Sequence, residues 1–310
     1  MNELTVATQN TAIMAQDLPT LAERFYNYID VKAKSAETYK GAIKQFLLYL
    51  KGENITQPNR ETVVNWRETL RETHKATTIQ LYITAVKLFF SYLAQEGIYP
   101  NIAEKLKGAK IRKEHKRDCL TSNQSKSVLN EIDTATAKGK RDYAMIALLL
   151  TTGLRTIEII RADIADLRTV GDDTVLFVQG KGRDDKSEYV KIAPKVETAI
   201  RKYLMTRTDT APDAPLFTSE SNHNQDGRLT TRTIRRLVKD ALLNVGLNSD
   251  RLTAHSLRHT AATIALLKGA ELAEVQQMLR HTNINTTMIY SHALSRAQNN
   301  SELTIADAIF

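Results

Sequence analysis

Four stretches in the C-terminal part of the chain hold polar side chains that packing does not require. In TTGLRTIEII (residues 151–160), directly after the apolar run DYAMIALLL, stand Arg155 and, three residues on, Glu158. A guanidinium set into such a segment needs a carboxylate partner or an anionic ligand, because an unpaired buried charge is costly. Both readings are open from this stretch alone. Lys181 lies between Gly180 and Gly182, and flanking glycines let a backbone bend and come close to a ligand. In HSLRH, His255, Arg258 and His259 stand three and four residues apart and so share one helical face. LRHTNINTTMIYSH carries His281 and, nine residues later, Tyr290.

Each feature has an ordinary explanation when taken singly. A lysine in a turn is usually solvated surface, and tyrosine is common at helix ends, where its ring is half covered and its hydroxyl is wet. Histidines four apart suggest a metal site, but HSLRH lacks the glutamate of H-E-x-x-H and places Arg258 where it would repel a cation. A zinc site is therefore discounted.

These residues must be positioned by the elements around them. The chain has 310 residues, enough for two domains, with 42% apolar content and no apolar run of bilayer length. The first 17 residues lack both a basic leader and an apolar core region and are expected to form a flexible tail. A single cysteine, Cys119, excludes an internal disulfide and a thiolate-rich metal cage, in keeping with a cytoplasmic location. The formal charge of +8 favours a polyanionic partner.

Apolar stripes at three- and four-residue steps predict a small domain of four or five helices over residues 18–108. They run through Leu18, Leu21, Ala22, Phe25 and Ile29; Tyr39, Ile43, Phe46, Leu47 and Leu50; Val63, Trp66 and Leu70; and Ile79 to Leu93, stopped by Gly97 and Pro100. Ser35, Asn59 and Thr77 are the expected caps. Nothing in this domain resembles a catalytic group. Residues 109–118, AKIRKEHKRD, hold five basic and two acidic side chains and read as an extended basic linker able to lie along phosphates.

Beyond it, residues 119–310 read as a mostly helical domain. Helices are expected near 122–134, 140–151, 194–206, 231–245, 255–268, 271–279 and 284–292. One small antiparallel sheet is expected from TVLFVQ (174–179) and EYVKIA (188–193), joined by GKGRDDKS. The fold class is thus mainly α, with two helical domains and a small sheet in the second.

Taken together, two arginines, a lysine, two histidines and a tyrosine in the order R, K, H-x-x-R, H, Y resemble the active-site signature of the tyrosine recombinases, or phage integrase family. The matching text is TTGLRTIEI, GKG in a hairpin, HSLRHTAAT and LRHTNINTTMIYSH, including the nine-residue step from His281 to Tyr290. The resemblance covers essentially the whole chain after the tail, as a helical core-binding domain, linker and helical catalytic domain. It points to the two-domain members, Xer-like resolvases and transposon or prophage integrases. Arg280 departs from it, since the family usually has glycine before that histidine.

The resemblance implies a site-specific DNA recombinase that cuts and rejoins strands through a 3′-phosphotyrosyl bond without ATP, metal or other cofactor. Tyr290 would be the nucleophile, Arg155 and Arg258 the phosphate clamp, His255 the proton acceptor, Lys181 the general acid and His281 a phosphate donor, with Glu158 orienting Arg155. The partner would be double-stranded DNA, gripped by both domains, with Lys44, Lys75, Lys113, Lys116, Arg117, Arg235 and Arg236 as candidate phosphate contacts. The chain would work as a homo-tetramer on two DNA sites, with an accessory directionality factor or partner recombinase as a further expectation. Its C-terminal segment, residues 296–310, would dock on a neighbouring protomer or on its own domain. Rival readings are a type IB topoisomerase, a relative that binds DNA without cutting it, and a metallohydrolase built on the histidines.

Overall fold

The structure is a computed structural model, and it describes residues 17–110, 118–180, 183–290 and 299–310. The chain divides into two compact units, Met1–Lys113 and Glu114–Phe310. No helix among the described residues is long and apolar enough to cross a membrane.

The first unit contains α1 (Leu18–Tyr28), α2 (Ala33–Gly52), α3 (Arg60–Thr73) and α4 (Ala76–Gln95). Every stripe read from the sequence turns inward. Phe25, Phe46, Trp66, Phe89 and Phe90 are all at most 2% exposed, and Phe46 meets Trp66 edge to face at 5.0 Å between ring centroids. Asn59 caps α3 by accepting from the Thr62 amide, while the Thr62 hydroxyl accepts from the Asn59 amide. Ser35 and Thr77 are not caps. Both lie inside the first helical turn, and the chain enters α2 and α4 at Lys32 and Lys75 with no side-chain cap. Ala33 and Ala76, the best helix-forming residue type, carry each helix past the point that the hydroxyl marks.

In the second unit, α5 (Ser122–Asn130), α6 (Ala137–Thr152) and α7 (Thr156–Arg161) precede the sheet, and α8 (Pro194–Leu204), α9 (Thr231–Asn244), α10 (Ala254–Leu267) and α11 (Leu272–Leu279) follow it. Residues 285–290 are helical, and α12 spans Ser301–Ile309. Helix α6 forms the centre. Its residues Ala144 to Leu150 are all buried, which explains why its sequence is apolar all round instead of striped.

The sheet has three strands, β1 (Leu167–Val170), β2 (Asp173–Val178) and β3 (Glu188–Lys191), paired antiparallel in that order. Leu176 lies opposite Leu167 on one side and Val190 on the other. Strand β1 has no counterpart in the sequence reading, because its four residues, LRTV, are half-buried or exposed and show no apolar–polar alternation. The short helix α7 was missed for a similar reason: six residues are below the length at which periodicity speaks.

Candidate active site

The site begins where α6 stops. Gly153 takes a left-handed conformation, φ +62°, and a Cβ at that position would stand 2.6 Å from Leu279 Cδ2. The left-handed turn favours glycine, and any side chain there would also displace the Leu279 methyl of α11. The turn redirects the chain, so Arg155 enters α7 as its N-cap and its side chain is 26% exposed. This corrects the picture of an arginine driven into the core at 155. The deeply buried arginine of the site is Arg258, at 1% exposure.

Glu158 is fully buried and holds the site together. Its Oε2 accepts from the Arg155 amide at 2.7 Å, and its Oε1 accepts from Arg155 Nη1 at 2.8 Å. Its Oε2 also accepts from Arg280 Nη2 at 2.7 Å. A buried carboxylate is tolerable here because two guanidinium groups and an amide satisfy it. Arg258, on α10, donates from Nη1 to the Gly153 carbonyl and from Nη2 to the Leu279 carbonyl, both at 2.5 Å. It therefore closes the carbonyl ends of α6 and α11, where the helix dipole is negative. Burial and the neighbouring Arg155 pull its pKa down to about 10, still charged at neutral pH.

The imidazoles and the phenol complete the wall. His281 follows the left-handed Arg280 (φ +54°) that ends α11, and its Nδ1 meets the Thr287 hydroxyl at 2.9 Å. Burial first, then Arg258, Arg155, Arg280 and His255, push its pKa down to about 4, so the ring is neutral across the physiological range. Tyr290 is 4% exposed. Burial raises its pKa, while Arg258 and Arg155 oppose the rise. The His259 ring packs on Tyr290 at 5.2 Å, and the exposed His255 packs edge-on to His259 at 4.7 Å. Among the described residues no group of three or more His, Cys, Asp or Glu is placed to hold a metal ion.

Arg155, His255, Arg258, His281 and Tyr290, predicted from separate stretches of sequence, line one cavity of about 510 Å³, with Glu158 behind its wall. Lys181 lies outside the described residues, as do Lys113, Lys116 and Arg117. Gly180 and Arg183, on either side of 181–182, line the cavity, and Arg183 pairs with Glu188 at 3.1 Å. Lys44 and Lys75 are exposed on the first unit. Arg235 and Arg236 are exposed on α9, beside a separate groove that Arg232 and Lys138 also line.

Sequence reasoning missed three contributors. Arg183 looked like hairpin surface, Thr287 gave no signal, and Arg280 stood out as a departure from the motif without a place in the site.

Comparison with known proteins follows the same division. Residues 118–296 match the model described as phage integrase family, and residues 22–97 match the phage integrase N-terminal SAM-like domain. The chain is 30% identical over 279 residues to tyrosine recombinase XerA of Pyrococcus horikoshii, covering 89% of this chain and 90% of that protein. It is 30% identical over 288 residues to tyrosine recombinase XerC of Leptospira interrogans, covering 89% of each. Among solved structures, the post-cleavage complex of the XerH site-specific recombinase with palindromic difH substrate aligns at TM-score 0.70 and 21% identity, over 93% of this chain and 85% of that one. A lambda integrase dimer bound to a COC′ core site aligns at TM-score 0.68 and 16% identity, over 87% and 96%. At these identities the structural likeness is one of fold.

Proposed function

The chain belongs to the phage integrase family, and from that premise we propose that it cuts and rejoins DNA at specific sites through a covalent bond between Tyr290 and a 3′ phosphate. One observation carries the reading: a tyrosine and four guanidinium groups, from sequence positions 155 to 290, stand in the wall of a single cavity. The relatives named above are recombinases, which favours strand exchange over relaxation by a lone topoisomerase-like chain.

Attack by Tyr290 Oη on a phosphodiester forms the tyrosine–phosphorus bond as the bond to the 5′ oxygen breaks. The five-coordinate transition state carries more negative charge than the bound ester, so donors fixed in advance lower the barrier beyond what they add to binding. Arg155 and Arg258 form the clamp, since planar forks match two phosphate oxygens at once. The raised pKa of Tyr290 keeps the phenol protonated at neutral pH, and His255 accepts the proton. Lys181 protonates the departing 5′ oxygen, and neutral His281, steadied at Nδ1 by Thr287, hydrogen-bonds the phosphate. A 5′ hydroxyl from another strand then reverses the bond changes and reseals the DNA without ATP or metal.

Duplex DNA is the partner, held through Lys44, Lys75, Lys113, Lys116, Arg117, Arg235 and Arg236 by phosphate contacts that position without reading sequence. Four protomers on two sites carry out the exchange in the cytoplasm. Helix α12 supports such assembly: it has no buried residue, and Leu303, Ile305, Ile309 and Phe310 are all exposed. The test is a nicked duplex tiled from the locus that carries the gene, incubated with wild type and with Tyr290→Phe. A covalent adduct forms with wild type only, and an adduct that persists in the Phe variant removes Tyr290 as nucleophile.

A further inference from the structure

Backbone geometry asks for glycine at position 280. Arg280 ends α11 at φ +54° and ψ 48°, a region in which an ordinary L side chain is strained. The His281 amide donates to the Gln276 carbonyl across this turn, a closure that glycine completes without strain. The side chain must therefore compensate. It is 5% exposed, its Nη2 donates to Glu158 Oε2 at 2.7 Å, and its Nη1 donates to the Met278 carbonyl at 2.9 Å. Its Nε is buried with no hydrogen-bond partner among the described residues.

Charge balance gives that placement a role. Glu158 is needed to orient Arg155, yet a buried carboxylate beside a two-arginine clamp cancels one of its charges. With Arg155 and Arg258 alone, the pocket would keep one net positive charge, which suits a bound phosphodiester. Arg280 restores the second, which suits the doubly charged five-coordinate state.

We propose that Arg280 is a positioning residue for strand cleavage, offsetting Glu158 so that the carboxylate that orients Arg155 does not diminish the clamp in the transition state. The inference rests on the transesterification reading and concerns the chemical step, not DNA affinity.

The experiment is single-turnover cleavage of the nicked duplex by the full chain, comparing wild type with Arg280→Gly, Arg280→Met, Arg280→Lys and the double variant Arg280→Gly/Glu158→Gln. Affinity for uncleaved DNA and melting curves accompany each. Arg280→Gly and Arg280→Met slow cleavage by about ten- to a hundredfold, less than loss of a donor that touches the oxyanion. Affinity stays within about threefold, because the effect belongs to the transition state. Arg280→Lys recovers most of the rate. The double variant cleaves faster than Arg280→Gly, because a neutral amide leaves nothing to offset.

Wild-type rates in Arg280→Gly and Arg280→Met would overturn the proposal, as would a double variant no faster than Arg280→Gly. Should Arg280→Gly fail to fold, Arg280→Asn, which tolerates the left-handed backbone, takes its place with the same expectations. Absence of any adduct with wild type is a separate result: it overturns the transesterification reading and this inference with it.

Discussion

The two units differ most in what they bury. Among the described residues, the interior of the first is hydrocarbon and aromatic, with Thr62 its one buried polar side chain. The second encloses Arg141, Glu158, Asp166 and Arg258. Apolar burial needs no partner and is worth about 1.5–3 kcal/mol for each large side chain, so the first core is stable by packing alone. Buried ions need partners, and in the second unit they come in linked sets. Arg155, Arg280 and Glu158 make one, and Lys186, Asp163, Asp166 and Arg228 make another. Where a chain sustains desolvated charge, chemistry is the first thing to look for.

Substitutions can break that contrast. Arg258→Ala should have the largest effect, because one side chain serves both the reaction and the structure. Cleavage falls by about a hundred- to a thousandfold, as for the loss of an oxyanion donor. Unfolding free energy also falls, by about 1–3 kcal/mol for each carbonyl, at Gly153 and Leu279, left without its donor. Arg258→Lys keeps the charge but cannot reach both carbonyls, so it recovers only part of either loss. Single-turnover kinetics and urea unfolding separate the two. Trp66→Ala is next and should act on stability alone, lowering that of the first unit by about 3–5 kcal/mol, read by urea denaturation.

The smallest effect is one of pH. His281 is depressed to about 4 from 6.5, so the unfolded chain takes up its proton first as pH falls. Stability present above about pH 6.5 is therefore lost progressively toward pH 4. His281→Asn should flatten that part of a stability–pH profile, and an unchanged slope would mean that the imidazole is not held neutral.

The sequence made the first unit readable nearly throughout, because helices with one wet face must alternate apolar and polar residues at the helical period. Its errors, at Ser35 and Thr77, concern where a helix starts, which a single hydroxyl marks weakly. In the second unit the long helices and two strands could be read, but β1 and α7 could not, since β1 buries no side chain fully and α7 is under two turns long. Arg155 could be seen because it interrupts an apolar run, whereas Arg258, His281 and Tyr290 stood out only through their joint order and spacing. Thr287 and Arg183 interrupt nothing, and contacts that depend on the tertiary turn at Gly153 leave no local trace.

Arg258 joins the last carbonyls of two helices with the same guanidinium that faces the cavity. A lineage, or an engineer, turning such a chain into a passive occupant of its DNA site would thus meet very unequal routes. Removing one phenolic oxygen leaves the architecture whole, whereas replacing the arginine unpins two helix ends. Silent descendants of this fold should therefore have lost the tyrosine far more often than the arginine.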